Sequence, residues 1–592
     1  MSLTWNLDKM YTSFEDEKFL TELQNCINLA EGMTATVKTI LDSDKTEIEI
    51  IEAYLKEAEK TREVFEPVLL FSHLSFSTDT ANTKALSNLQ KVQSLTASLV
   101  TSKVIFEKWL CQRKDLTTLI NASDSLKKYE FYLNEMVKNA KYSLDEKVET
   151  VISQMRQTGS MAWDTLQKKT SSGITEEVTI DGKTETMPLQ AIRNLAFEKN
   201  AEKRRIGYDA EMMAYKKHEE ASAAALNGIK GESLTLCKLR GYESPLEKTL
   251  ITSLMNKETL DTMLDAMRDS LPKFRSYYKR KAELLGHKNG LPFYDVFAPL
   301  GDSDITYPYE KGKKLVLDQF ATYSTELHDF AKDAFDNDWI DVEPKKGKRG
   351  GAFCAPVLSL KESRILLNYT GKLNNAITLA HELGHGFHNY NLFNEATLNI
   401  GSPMPLAETA SIFCETIVKK AALKEADSRS KVSILEVAIQ GYSQVIVDIY
   451  SRFLFESKLF ERRKEGSLSP EEIKTLMIEA QKESYGDGLD PDVLHPYMWM
   501  NKVHYYIPDM DFYNFPYAFG LLFAKGLYAK YKTMGEEFVP KLNTLLSSTG
   551  KMTVADVAKQ LDVDVTDKAF WAASLNEIGE EIDEFIALSQ KI

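Results

Sequence analysis

The sequence predicts a mainly α protein, and three observations carry that expectation. Residues 47–60, 87–110 and 198–230 run long, with apolar residues at three-and-four spacing and charges between them, as helices with one buried face do. Helix breakers are sparse, with 17 Pro and 28 Gly spread over 592 residues. No Gly/Ser/Pro-rich linker, low-complexity tract or fixed-period repeat interrupts the chain. Length alone would suggest three or four domains. Composition predicts fewer, more continuous pieces around a large core.

The pattern changes after residue 346. Gly347-Lys348-Arg349-Gly350-Gly351 is a flexible run, and residues 352–358 and 364–370 read as strands around the polar turn Lys361-Glu362-Ser363. The free edge of such a β-hairpin could hydrogen-bond an extended peptide. A helix follows, with Asn374 or Asn375 as its cap and Ile377, Ala380, Leu383 and Gly384 toward the core.

That helix carries His381-Glu382-Leu383-Gly384-His385-Gly386-Phe387-His388, an HExxH arrangement. Positions i and i+4 share a helix face, so His381 and His385 can direct ring nitrogens at one zinc ion. Glu382 projects from the flank of that face, where a general base can reach an attacking water without binding the metal. With nine His in the chain, accident would produce on the order of 0.01 such matches, so coincidence is a poor explanation. A closed structural zinc site favours four Cys/His ligands, and the nearby cysteines lack CxxC spacing.

A hydrolytic zinc needs a third protein ligand and an open fourth position. His388 is near, but its offset of three from His385 points it along the helix, toward a supporting or substrate-facing role. The metzincin pattern, which requires Gly at 388 and His at 391, is excluded by His388 and Asn391. Pro403 and Pro405 mark the start of a second helix, on which Glu408 and Glu415 lie seven apart in a small, apolar run. The loop over 391–402 is long enough to fold this helix back on the first. Glu408 is therefore the expected third ligand, and Glu415 the residue that fixes a ligand imidazole's tautomer.

Farther on, residues 485–491 form a turn-rich loop before a segment dense in His and Tyr, from His495 to Gly520. Peptide hydrolysis builds charge on the former carbonyl oxygen, which neutral phenol or imidazole donors can hold. Tyr513, Tyr517 and His504 are the candidates, with Tyr506 as an alternative among the tyrosines.

A formal net charge of −14 argues against a general phosphate-binding surface, so no nucleic-acid partner is expected. The first eight residues have no basic region or apolar run, and no later stretch approaches 18 uncharged apolar residues. Five scattered cysteines, Cys26, Cys111, Cys237, Cys354 and Cys414, suit a reducing compartment. A cytoplasmic protein with no membrane partner is expected.

Beyond HExxH, the chain resembles the oligoendopeptidase F family, within the larger group that includes thimet oligopeptidase and neurolysin. The resemblance runs through Trp5-Asn6-Leu7, Arg240-Gly241-Tyr242, Gly351-Ala352-Phe353, residues 381–388, the Glu408 helix, His504-Tyr505-Tyr506 and residues 512–520. It implies a two-lobed helical metallopeptidase with a deep substrate channel, divided into an N-terminal helical lobe over 1–195 and a catalytic part over 196–592. It also implies one zinc held by His381, His385 and Glu408, Glu382 as base, and cleavage of internal bonds in short peptides. The rival readings are a zinc carboxypeptidase, which needs a cation for a free C-terminal carboxylate, and a non-catalytic peptide-binding protein, which has no use for Glu382.

Overall fold

The computed structural model describes residues 3–300 and 306–591. Helices dominate, and the β structure among the described residues is one two-stranded and one three-stranded sheet. Residues 47–60 begin the helix Glu47–Thr78, opened by a capping box in which the Glu49 carboxylate accepts from the Thr46 N–H at 2.8 Å. Residues 87–110 form two helices rather than one, Thr83–Ser98 and Val100–Cys111. The chain bends at Leu99, which packs against two separate apolar clusters. Residues 198–230 also divide, into Ala201–Lys216, capped by Asn200, and Glu219–Arg240, which ends at Gly241 in the left-handed region. An additional hairpin joins Thr175–Ile180 to Lys183–Pro188 through Asp181-Gly182, both at positive φ. The signal for it, an Asp-Gly pair between β-branched runs, is in the sequence.

In the larger sheet, Glu362–Leu366 lies between Ile340–Asp341, to which it is parallel, and Phe353–Val357, to which it is antiparallel. Both hairpin strands are shorter than their spacing suggests. Past Leu366 the chain leaves its antiparallel partner, and the N–H groups of Leu367 and Tyr369 bond to the carbonyls of Asp341 and Val342 at 2.8 and 2.9 Å. Side chains alternate along the middle strand. Ile365 belongs to the main core, while Leu366 joins an N-terminal cluster with Tyr11, Phe19 and Phe71. The sheet is therefore a shared layer, with the N-terminal helices on one face and the HExxH helix, Leu373–Leu392, on the other.

The helix over Ser428–Arg463 is long and apolar enough by composition to cross a membrane, a point that a search for uncharged runs passes over. In the fold, 61% of its apolar window is buried inside the protein, as in a core helix. A π-helical turn at Gln444–Asp448 interrupts it.

One buried cation joins three distant parts of the chain. Lys230 Nζ, on Glu219–Arg240, lies 2.7 Å from Glu456 and 2.8 Å from Asp511, and Asp511 also accepts from Ser233. Lys230 thereby ties two helices to the segment just ahead of Tyr513. Replacing it by Ala leaves two carboxylates buried without their counter-charge, which typically costs about 3–5 kcal/mol. Lys230→Ala is expected to shift the urea unfolding midpoint well below that of the wild type, whereas the same substitution at exposed Lys314 is expected to leave it in place.

Candidate metal centre

The centre is built where two helices come unusually close. A β-carbon on Gly384 would lie 2.6 Å from the Ala410 carbonyl oxygen and 2.6 Å from Ser411 Cα, so only glycine fits at that point of the HExxH helix. The helix begins after Lys372, two residues earlier than an Asn374 cap would set it. Asn375 serves from inside the first turn, its Oδ1 accepting from the N–H groups of Lys372 and Thr370 at 3.1 and 2.9 Å. Ala380, Leu383 and Gly384 are buried as expected, but Ile377 is only half-buried and lines the cavity described below.

The second acidic element is not one helix. Met404–Ala407 ends at Glu408 (φ −91°, ψ 3°), and Thr409–Glu425 begins directly after it. Glu408 thus sits at a bend, in the sparsely populated region between helix and strand. A β-carbon on Gly520 would come within 3.0 Å of Glu408 Cβ, so a third helix, Phe515–Met534, presses on the bend from its other side.

These constraints bring three donors together. Glu408 Oε2 lies 3.2 Å from His381 Nε2 and 3.4 Å from His385 Nε2, and the three ligand atoms all lie within 4.8 Å of one another. His381 and His385 are nearly perpendicular, with ring centroids 4.9 Å apart. Glu415 Oε2 stands 3.2 Å from His381 Nδ1, the nitrogen turned away from the cluster. Ser411 Oγ donates to Glu408 Oε2 at 2.8 Å, a contact the sequence reading missed.

Electrostatics at the cluster favour a cation. Burial opposes the charge on Glu408, yet hydrogen bonds from His381 and His385 hold its carboxyl far below the usual carboxylate range. Burial also opposes a charged His381, but Glu408 and Glu415 outweigh it and raise its pKa to about 10. A site that retains a proton this firmly is one a metal ion can occupy in its place.

Glu382 is not part of the donor group. It is buried, and its Oε2 has no hydrogen-bond partner among the described residues. Burial raises its pKa, opposed by His381 and His385. His388 points elsewhere, bonding Thr549 Oγ1 at 3.0 Å, and burial together with the nearby His385 lowers its pKa to about 4. It is a neutral packing residue and does not face the cavity.

The cavity beside the cluster measures about 450 Å³ and is lined by His381, Glu408, Glu415, Lys419 and Tyr517 among others. Tyr517 donates to Tyr513 at 3.0 Å, and the Tyr513 ring stacks on His504 at 4.8 Å. Of the three aromatic-segment candidates Tyr517 reaches the cavity, while Tyr513 and His504 stand behind it in a row. Tyr506 is fully buried and lines a different cavity. Lys419, four residues after Glu415, lies on the same helix face, a spacing readable in the sequence.

A family model described as peptidase family M3 matches residues 195–577, and another, described as oligopeptidase F, matches residues 111–175. The chain belongs to peptidase family M3. It is accordingly a peptidase of a metal-dependent family, and the His381, His385 and Glu408 group is where a metal could be held. Oligopeptidase PepF of Bacillus subtilis is 24% identical, over all of this chain and 88% of its own length. Group B oligopeptidase PepB of Streptococcus agalactiae is also 24% identical, over 93% of each chain. The crystal structure of oligoendopeptidase-F from Enterococcus faecium superposes with a TM-score of 0.70 at 18% identity, covering 99% of this chain and 100% of that one. The peptidase fold thus extends across nearly the whole M3 chain.

Two outcomes follow from the geometry of this M3 centre. Gly384→Ala forces its helix off Ala410 and Ser411, and metal titration should show a large loss of bound metal while far-UV circular dichroism still reports a helical protein. Glu415→Gln keeps the shape but weakens the acceptor for His381. Competition with a chelator should show metal affinity reduced about 10- to 100-fold.

Proposed function

We propose that the protein is a zinc endopeptidase that hydrolyses internal bonds of short peptides, with His381, His385 and Glu408 holding the ion and Glu382 as general base. The observation that carries this reading is the convergence of two imidazole nitrogens and one carboxylate oxygen beside an unpartnered, buried glutamate. Glu408 Oε2 stands 3.2 and 3.4 Å from the two imidazole nitrogens, and all three atoms lie within 4.8 Å of one another, close enough to share one ion.

When bound, zinc acidifies water and polarises a carbonyl. The remaining work falls to the chain. Glu415 holds the Nδ1 proton of His381 and so leaves Nε2 free to ligate. Glu382 takes a proton from the attacking water and passes it to the leaving amine; its lack of a competing hydrogen bond leaves Oε2 available for that transfer. Tyr517, at the cavity wall, swings its hydroxyl proton from Tyr513 to the oxyanion, leaving its oxygen to accept from Tyr513 in turn. Tyr513 orients it, and His504 braces Tyr513 by stacking. All five cysteines are unpaired, which supports a cytoplasmic location.

The test is cleavage of an end-blocked, internally quenched peptide alongside metal analysis. Wild type should carry one zinc and cut the peptide. Glu382→Gln should keep the zinc and lose at least about 10²- to 10⁴-fold in kcat, whereas Glu408→Ala should lose the zinc itself. Retained turnover in Glu382→Gln would overturn the scheme. Tyr517→Phe should lower kcat by roughly 10²-fold or more with little change in KM, since the oxyanion exists only in the transition state.

A further inference from the structure

The cavity that holds the metal donors contains a cation that the hydrolytic scheme leaves unused. Lys419 lies four residues after Glu415, so the two share one stripe of Thr409–Glu425, and both line the same cavity as Glu408, which stands at the bend before that helix. Around it the cavity is apolar, with walls from Ile377, Ile412, Ile434 and Val445. Lys419 is only 3% exposed, and its ammonium lies 4.4 Å from the Tyr442 ring centroid.

The ordinary role for a buried lysine is to neutralise a buried carboxylate, and here that is Glu581. The charge balance does not require Lys419 for it. Glu581 lies 3.0 Å from Lys420 and 3.6 Å from Lys525, and it accepts a hydrogen bond from Tyr442 at 3.2 Å. Lys419 approaches the same carboxylate at 3.6 Å, so three ammonium groups surround one carboxylate. The other acid nearby, Glu415, is hydrogen-bonded to His381 and is a second counter-charge for Lys419 and Lys525, so three ammonium groups share two carboxylates. Lys525 registers the surplus: burial, followed by repulsion from Lys419, lowers its pKa to about 7. A buried ammonium in excess of its counter-charges is costly unless an anion completes the set or one ammonium gives up its proton.

We propose that Lys419 forms a subsite for a carboxylate of the bound peptide, carried on an apolar stem through the Ile-lined part of the cavity. A glutamate side chain has that chemistry, and so does a free C-terminal carboxylate placed shortly beyond the scissile bond. The inference rests on the peptidase reading of this cavity and concerns which peptides it prefers. A charge-assisted hydrogen bond in a dry pocket favours the acidic peptide over its neutral isostere by about tenfold or more.

The experiment compares zinc-loaded wild type, Lys419→Met and Lys419→Arg on quenched peptides. One series is end-blocked and carries Glu or Gln at each position flanking the scissile bond. A second has no acidic side chain and ends in a free carboxylate or an amide at successive distances from that bond. Wild type should favour the carboxylate in kcat/KM by at least about tenfold in one series, and the series that responds identifies the source. Lys419→Met should bring that ratio close to one, and Lys419→Arg should keep it. Equal rates for acid and isostere in wild type, or an undiminished ratio in Lys419→Met, would overturn the proposal even though peptides are cut. Failure of wild type to cut any peptide would instead overturn the peptidase reading on which it rests.

Discussion

The architecture of the centre depends on one close contact, the backbone approach between the HExxH helix and the chain at Ala410 and Ser411. Two helices bearing ordinary side chains keep their axes 8–10 Å apart. Glycine at 384 removes the side chain from the point of closest approach, and a second glycine, Gly520, does the same on the opposite side of Glu408. Glu408 is thus clamped at a backbone bend between two helices. Its carboxylate reaches both imidazoles because the backbone that carries it has almost no room to move. A carboxylate on a long, flexible side chain gains precision when its Cα is fixed in this way.

Charge is concentrated around that contact, and several buried charges have partners on other elements. Glu415 joins Thr409–Glu425 to the HExxH helix through His381. Glu581, from the last helix, draws in Lys419, Lys420 and Lys525. Lys230 connects Glu456 and Asp511. Such pairs contribute modestly to net stability but penalise any arrangement that separates them, so they act mainly to define which helix faces meet. The lysines around Glu581 depart from this balance, since they outnumber the carboxylate they share. Of these lysines, Lys419 lines the cavity beside His381 and Glu408, where a substrate could meet it.

The aromatic segment shows how a site residue depends on packing far from it. Tyr517 sits in the first turn of Phe515–Met534, and its hydroxyl is set by Tyr513, whose ring is set by His504. Asp511, two residues before Tyr513, is held by Lys230. A line of contacts therefore runs from the buried ion cluster to the cavity wall. The sheet has a comparable role on the other side, where Asn389 of the HExxH helix donates to Ser363 while Leu366 of the same strand packs with the N-terminal helices.

Much of this was legible in the chain. The helical class follows from local periodicity, and the donor residues follow from chemistry at fixed spacing: i and i+4 on a helix face one way whatever the remainder of the fold does. Glu415 could be paired with an imidazole because it shares a face with Glu408, and the Asp181-Gly182 hairpin had a readable turn. Other features lay beyond local signals. The breaks at Leu99 and Glu408 arise because the chain must serve two packing surfaces at once, which periodicity within a helix does not record. The burial of His388 against Thr549, the choice of Tyr517 over Tyr506, and the crowding of three lysines around Glu581 all join residues remote in sequence. Covalent spacing along a helix is enough to say which chemical groups the centre contains. Tertiary structure alone decided which of them face the cavity and which charges remain uncompensated, because burial and distance are properties of the packed chain.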